Sequence, residues 1–548
     1  MPNTLDPDSL RPSLLTPEGA GLTWTRAVAL YLLVAGLVTF AGLGTLDVTV
    51  MEGIVVDGAR TMERTQEFAV PRLHGEIYSY KPPLAAWLAL ASFRVFGGES
   101  EWALRTPFAV CSLLLGLVTF WLVARVLGPR VGLVSGLATL TGVLYFQKLH
   151  LAEFDTPLAA GAGIAVVVAC HNLASDRSRP WLWLLGYVAL ALGFLAKGVP
   201  ALMTYGPGLF LAAWVLGRFR RLFTFGHVVG VLLFAAVVGS WIVAAWAQEG
   251  LEAFAQPFAE GQRRGFEWSL SEIGRTLLKP AEALAVFLPW TLVLPWVKAA
   301  ARALPPESIE GRFLRASGSF AVAGVLTFML VPSSETRYLL PLATSIGTTC
   351  AITLSAVRLR DSIAARRTLG IAAGVVGVAA LLVVAGATDM SLPLLPASVL
   401  SAAALSALLV GGAFLRGRID SPIAVLGALA CVIWLAHTLA TEPFRASTRS
   451  LREVALAFET HLEPGETLWS EPVSSGYKHS SLVYYLGRPV RTFDLEPGGR
   501  SPSVGDRILL FSDEPVGDSR PIPFAFKELE SRTQRRYEFV LGEVVGSD

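Results

Sequence analysis

"GEIYSYKPPLAAW", Gly75 to Trp87, sets a Lys-Pro-Pro triplet between two tyrosines and an apolar run. Prolines 82 and 83 stiffen the turn and keep helix from propagating through it, so Lys81 stands at the edge of an apolar stretch. That position matters because the rest of the chain reads as lipid-soluble. Of its 548 residues 53% are hydrophobic and 16% charged, and the mean hydropathy is +0.54. Such a balance marks a membrane protein, and a lysine where the chain re-enters the membrane asks for a function.

Outward from this stretch, runs long enough to cross a bilayer number about 13, at 25–46, 107–126, 131–149, 156–174, 181–196, 198–217, 225–247, 282–303, 316–332, 339–357, 368–387, 395–415 and 421–440. The fold class expected is an all-α polytopic membrane protein. The segment 1–24 is polar, and the first apolar run is too long, and lacks the cleavage signature, for a signal peptide. The short connections carry Arg125 and Arg130; Arg177 and Arg179; Arg218, Arg220 and Arg221; Lys298, Arg302, Arg312 and Arg315; Arg358, Arg360, Arg366 and Arg367; and Arg416 and Arg418. With a cytoplasmic N-terminus all of these clusters fall on the cytoplasmic side, as the positive-inside bias requires. The transmembrane domain is then 25–441, with a first outer loop at 47–106.

From Glu442 to Asp548 the composition changes. "SLVYYLGRPV" and "DRILLFS" alternate like strands, and "SLREVALAFETHL" is amphipathic, so this tail is expected to be a small extracytoplasmic α/β domain. A net charge of +2 argues against nucleic acid as a partner. Cys111, Cys170, Cys350 and Cys431 sit inside apolar runs without metal-site or disulfide spacing and read as small core residues. No tandem repeat stands out.

Charged groups collect on the outer ends of the spans. Asp47, Glu52 and Asp57 follow the first span, where Glu52 with Val55, Val56 and Ala59 suggests an interfacial helix with one apolar and one acidic side; a solvated loop face is the plainer alternative. His150, Glu153 and Asp155 lie in "HLAEFDTPLAAG", where acids at a hydrocarbon boundary carry a desolvation cost, although Asp155 before Thr156 and Pro157 also suits a helix N-cap. Of the two acids Asp155 is the stronger candidate. Lys197 is a lone cation in "GFLAKGVPALM". Arg263 and Arg264, and Arg337 with Tyr338, add cations; pairing with Glu260, Glu267 and Glu335 is the structural alternative. Arginine and lysine can hold a phosphate as it leaves, while a carboxylate orients or deprotonates an acceptor or holds a metal.

The motifs, in this order, resemble the lipid-carrier-dependent glycosyltransferases of the GT-C fold, in the branch that contains the aminoarabinose transferase of lipid A modification and the protein O-mannosyltransferases. "TMERTQEFAVPRLHGEIYSYKPPLAAWLALASFRVFG" with "SEWALRTPFAV" is similar to that family's first outer loop. "AEFDTPLA", "GFLAKGVPAL", "FLPWTLVLP" and "RYLLPL" look like its second acidic, Lys-Gly, Pro-Trp and Tyr-Leu-Leu-Pro motifs. By this resemblance Lys81 contacts the phosphate of a polyprenyl (undecaprenyl) phosphate sugar donor, with Arg337, Tyr338, Lys197 and Arg263 as further donor-phosphate residues. Tyr78, Tyr80 and His150 line the pocket. The sequence departs at the first acidic motif: the family's Asp-Glu followed by Arg-Tyr is Met51, Glu52, Gly53, Ile54, Val55 here. Glu52 keeps the second acidic position, Asp47 or Asp57 can approach the site, and Asp155 becomes the leading acid. The resemblance implies an inverting transfer of sugar, at the outer face of a bacterial inner membrane, to a lipid, glycan or protein acceptor, with Glu52, Asp155 or Asp47 acting on the acceptor.

The sugar, the acceptor and any divalent metal stay open. Two rival readings carry different marks. A transporter or lipid flippase would show paired halves with interrupted spans at matching positions, and none is found. An O-antigen polymerase or ligase would share the hydropathy and use arginines in a large outer loop, whereas here the Lys-Pro-Pro loop follows the first span directly.

Overall fold

A computed structural model describes residues 22–256, 270–331, 334–386, 394–444, 450–471, 480–494, 500–512, 524–534 and 537–547. Among them eight helices are long and apolar enough to cross a membrane, or nine if the bent pair Ile273–Val286 and Trp290–Ala303, meeting at 111°, forms one span. Several of the 13 apolar runs correspond to helices that are shorter or broken. The run at 131–149 is two helices, Pro129–Leu140 and Val143–Lys148. The first span is the 17-residue helix Trp24–Phe40, and 198–217 is the 16-residue helix Pro200–Val215.

The helix Asp155–Ala174 is the hub of the bundle, with 94% of its apolar window buried. Its small residues permit this. A Cβ on Gly161 would come within 2.4 Å of Ala189 O, so only glycine lets this helix lie against Pro180–Lys197, as small-residue stripes do between membrane helices. At its C-terminal end the carbonyls left over by the helix are met by arginines. Arg218 donates to Leu173 O at 2.8 Å and Ser175 O at 2.7 Å, and Arg312 donates to Ala174 O at 2.7 Å. These are cations at the negative end of a helix dipole.

The C-terminal region is a mixed five-stranded sheet in the order Val490–Thr492, Leu468–Ser470, Arg507–Ser512, Tyr537–Ser547, Phe524–Gln534. The first three strands are parallel and the last three antiparallel to their neighbours. "DRILLFS" is the central strand: Leu509 and Phe511 face the helices while Ile508 and Leu510 pack with Phe493, Phe524, Val540 and Val544. Burial on both faces explains its unbroken apolar run. The amphipathic stretch forms the helix Arg452–Glu459. "SLVYYLGRPV" corrects the strand expectation, because Ser480–Leu486 is a helix and only Val490 onward is strand. Leu482, Val483 and Leu486 lie on one helical face of the core, and Gly487, at φ 61°, ends the helix in the left-handed region. The cysteines form no disulfide; Cys170 and Cys350 are buried, Cys111 is half-buried and Cys431 is exposed, so the core reading fails for Cys431.

The sheet domain sits directly on the loop that follows the first span. Gly53 is the contact point, since a Cβ there would fall 2.4 Å from the Ser480 backbone. Arg60 ties Glu99 (2.6 Å) to the carbonyls of Val483 and Tyr484, and Glu76 accepts from Thr492 Oγ1 at 2.7 Å. The helix Val50–Thr65 is therefore enclosed over most of its length, with Glu63, Arg64 and Thr65 exposed at its end. Glu52 and Asp57 are buried rather than displayed on a polar side, which overturns the interfacial-helix expectation for this stretch.

Candidate active site

The Lys-Pro-Pro loop is braced before it reaches the lysine. A two-residue hairpin joins Arg72–Leu73 to Glu76–Ile77 through His74 and Gly75, whose φ values of 54° and 88° suit a tight hairpin turn. The buried Asp57 carboxylate accepts from His74 N–H at 2.8 Å and lies 3.6 Å from His74 Nε2. Burial pushes the Asp57 carboxyl above its usual range and the His74 imidazole down to about 4. From the end of the helix Phe225–Glu249 and the segment after it, Gln248 accepts from Ala69 N–H at 3.0 Å, Gln256 accepts from Ser79 N–H at 2.7 Å, and Glu249 accepts from Arg72 at 2.5 Å.

Past this brace, Tyr78 is buried against Tyr80, their ring centroids 5.6 Å apart, and half-buried Lys81 follows. Pro82 then meets the Lys-Gly motif: a Cβ on Gly198 would sit 4.0 Å from Pro82 Cγ. Beside Gly198, Lys197 is buried in an ion pair with Asp155 and lies 4.5 Å from the centroid of the Tyr338 ring. Arg337 bridges Glu335 at 2.8 Å, and its Nε is buried without a hydrogen-bond partner among the described residues. The structure thus gathers Lys81, Asp155, Lys197, Arg337 and Tyr338 at one end of the bundle, the end that carries the sheet domain. Asp155 is the first residue of its helix, Phe154 takes the cap position and makes no side-chain cap bond. The N-cap alternative is thereby excluded, and the Asp155 carboxylate serves Lys197.

Next to this cluster is a cavity of about 430 Å³ lined by Asp47, Thr49, Met51, Gln147, Lys148, Glu153, Glu442, Ser450 and Ser481 together with apolar residues. Met51, where the resemblance expects an acid, faces it, and Asp47 supplies a carboxylate on the same wall. Asp47 lies 3.7 Å from Arg452 of the sheet domain. Tyr485 bonds the adjacent Val48 N–H at 2.7 Å. Glu442 meets His437 at 2.9 Å, in a short π-helical stretch ending the last span. Glu153 accepts from Lys148 Nζ at 2.5 Å.

Glu52 lies beneath this cavity, fully enclosed. Its carboxylate accepts from Arg105 Nε (2.7 Å) and NH2 (3.0 Å), from Ala152 N–H (2.9 Å) and from Thr49 N–H (2.9 Å). Burial opposes the charge, but Arg105 and these N–H donors outweigh it and hold the Glu52 carboxyl below its usual range. The remaining N–H groups of Arg105 hold Leu43 O, Leu46 O and Asp47 O at 2.8 to 3.0 Å. One buried ion pair therefore joins the segment entering the cavity, the start of the helix Val50–Thr65 and the second acidic stretch. His150 is likewise built in, its Nε2 2.9 Å from Val38 O and its imidazole pushed down by burial.

Arg263, with Arg264, Glu260 and Glu267, lies outside the described residues. Sequence reasoning passed over Arg105, Lys148 and Glu442. For Arg105 the signal was present, as a charge in the first turns of the long apolar helix Glu101–Leu127 is costly unless paired. Among the described residues no three His, Cys, Asp or Glu side chains are grouped to hold a metal ion.

Residues 80–244, opening at Tyr80, match the family model described as dolichyl-phosphate-mannose-protein mannosyltransferase. An undecaprenyl phosphate-alpha-4-amino-4-deoxy-L-arabinose arabinosyl transferase of Edwardsiella ictaluri is 28% identical over 298 residues, 52% of this chain and 51% of that protein. An uncharacterized protein of Aquifex aeolicus is 25% identical over 37% of this chain and 41% of its own length. The chain thus spans about two fifths to half the length of these curated relatives. Among solved structures, ArnT from Cupriavidus metallidurans superimposes with a TM-score of 0.71 at 18% identity, covering 94% of this chain and 98% of that one. The form of that protein bound to undecaprenyl phosphate gives 0.70 at 17% identity, over 95% and 98%. The chain is a multi-pass membrane protein with the ArnT-like GT-C fold and a small C-terminal sheet domain.

Proposed function

We propose that this chain is an integral membrane glycosyltransferase that moves a sugar from a polyprenyl phosphate donor to a lipid, glycan or protein acceptor. It works at the outer face of a bacterial inner membrane, with the N-terminus cytoplasmic and the sheet domain outside. The observation that carries the reading is the convergence of three separated cationic motifs beside one carboxylate-lined cavity: Pro82 of the Lys-Pro-Pro turn against Gly198, and Tyr338 against Lys197. Lys81 and Arg337 hold the donor phosphate, Arg337 through its fork of N–H groups and Lys81 as a point charge. Tyr338 and Lys197 complete that wall, and the Asp155 carboxylate keeps Lys197 in place. Tyr78 and Tyr80 shape the approach to Lys81, and His150 fixes the loop before Glu153 against the first helix.

The acceptor enters the cavity between the first outer loop and the sheet domain, where Asp47 stands in for the acid absent at Met51. Its oxygen attacks the anomeric carbon from the face opposite the phosphate, and the carrier leaves with the bonding electron pair. Cations fixed where charge accumulates favour that departure without reorganising.

The test is native mass spectrometry of the full chain purified with its endogenous lipids. A bound polyprenyl phosphate or its sugar conjugate in the wild type, lost in Lys81→Ala, is expected. No carrier in either protein, even after undecaprenyl phosphate is added, would sink the reading.

A further inference from the structure

The acids near the cavity are engaged in different ways. Glu52 gives both oxygens to four N–H donors, and Asp155 is committed to Lys197. Asp47 and Glu442 sit on the wall that the sheet domain and the last span complete. Glu153 is different: its side chain is 6% exposed, yet it lines the cavity, and among the described residues its hydrogen-bond partner is Lys148, on Oε2. The residue before it is held in place by Glu52 through Ala152 N–H.

We infer that Glu153 is the group that takes the proton from an acceptor hydroxyl, with Lys148 as its counter-charge and the Glu52–Arg105 pair as its positioning device. The inference rests on the transferase reading and narrows it to acceptors whose nucleophile is a hydroxyl. The acceptor oxygen forms the new bond to the anomeric carbon and the carbon–oxygen bond to the carrier phosphate breaks, its electron pair staying on phosphate. The hydroxyl proton passes to the Glu153 carboxylate and from there to water. Glu52 and Asp155 are then positioning residues, one for the Glu153 backbone and the other for Lys197.

The surroundings suit a proton acceptor. Burial pushes the Glu153 carboxyl up, Asp155 and Glu52 add to this, and Lys148 offsets part of it. Lys197 and Arg337 face the group from their own helices, and Asp47 and Glu442 share its cavity. A base with a raised pKa gives an activity that falls, on acidification, above the ordinary glutamate value of about 4.3.

The experiment is a pH-rate profile of the full chain in proteoliposomes, using the polyprenyl phosphate sugar that co-purifies with it and an envelope extract as acceptor. Glu153→Gln should lower kcat by about 10²-fold or more, leave donor KM near its wild-type value and abolish the acid limb. Glu153→Asp should recover part of the rate. Lys148→Met should move the acid limb to higher pH, because the carboxylate loses its cation. Glu52→Gln should lower kcat and move the limb to lower pH without abolishing it, because the Glu52 charge helps push the Glu153 carboxyl up. Wild-type kcat and limb in both Glu153 variants, or a limb that vanishes in Glu52→Gln and persists in Glu153→Gln, would overturn the assignment. A wild-type chain that binds carrier and transfers sugar while both Glu153 variants stay active separates that failure from failure of the transferase reading, in which no carrier binds and nothing is transferred.

Discussion

The helix Asp155–Ala174 has a charge cluster at each end, and the two are built on opposite principles. At its C-terminal end Arg218 and Arg312 spend their N–H groups on main-chain carbonyls, with Asp176 on the rim at 2.7 Å from Arg312. At its N-terminal end Asp155 meets Lys197, Glu153 meets Lys148 and Arg337 meets Glu335, side chain to side chain, beside a cavity. Carbonyls at a helix terminus are neutral, fixed acceptors that no ligand would replace, so that end is architecture. Paired charges on side chains exchange partners when a charged ligand arrives, so the other end suits chemistry.

The comparison breaks first at the lysine. Lys81→Ala is expected to reduce transfer by about 10²-fold or more, the scale of a lost electrostatic stabiliser, with the protein still inserted and monodisperse by size-exclusion chromatography. A variant turning over at the wild-type rate would remove the phosphate role from this end. At the next level, Lys197→Met leaves the buried Asp155 carboxylate without its cation and should lower both thermal stability and rate. Adding Asp155→Asn should restore stability and leave the rate low, because a neutral pair packs without supplying charge. Restoration of the rate as well would place this pair with the architecture.

The opposite end sharpens the contrast. Arg312→Ala should cost about 2 to 3 kcal/mol, the scale of hydrogen bonds to a charged group, seen as a lower thermal midpoint, with kcat per folded molecule unchanged. A fall in kcat at constant stability would make the two ends alike. The smallest effect belongs to the brace of the Lys-Pro-Pro loop. His74 has a folded pKa depressed to about 4, so the unfolded chain, with an ordinary value of about 6.5, binds a proton that the folded loop refuses. Stability contributed by neutral His74 is present above pH 6.5 and is lost as pH falls toward 4. His74→Asn, which tolerates a positive φ, should flatten that slope in a hydrogen-exchange measurement of residues 72–80; an unchanged slope would assign it elsewhere.

Much of this end was legible because its residues break local rules. A lysine before two prolines, an acid at a helix start and a cation in an apolar run each carry a desolvation cost that composition exposes at once. The Arg105–Glu52 pair was half legible. Arg105 breaks the apolar pattern, but the partners lie 53 residues apart, and nothing along the chain says that they meet. The helix Val50–Thr65 misled for the same reason: its pattern is amphipathic, and distant segments, Arg105 with Ala152 at Glu52, the His74 hairpin at Asp57 and the sheet domain at Gly53, turn it into an interior. In the tail, periodicity could not separate a short apolar helix from a strand at Ser480–Leu486, since both bury neighbouring apolar residues.

By itself the sequence determined that the chain is a polytopic membrane protein, that a lysine stands at the edge of an apolar stretch and that acids and cations punctuate particular span ends. These are properties of local composition, which the bilayer reads residue by residue. Only the tertiary structure decided which acids are spent and which face a cavity. Glu52 and Glu153 look alike along the chain, and the difference arises from Arg105 closing on one and Lys148 leaving the other beside open volume. A carboxylate's chemistry is set by the donors and dielectric around it, and those come from distant segments brought together by folding.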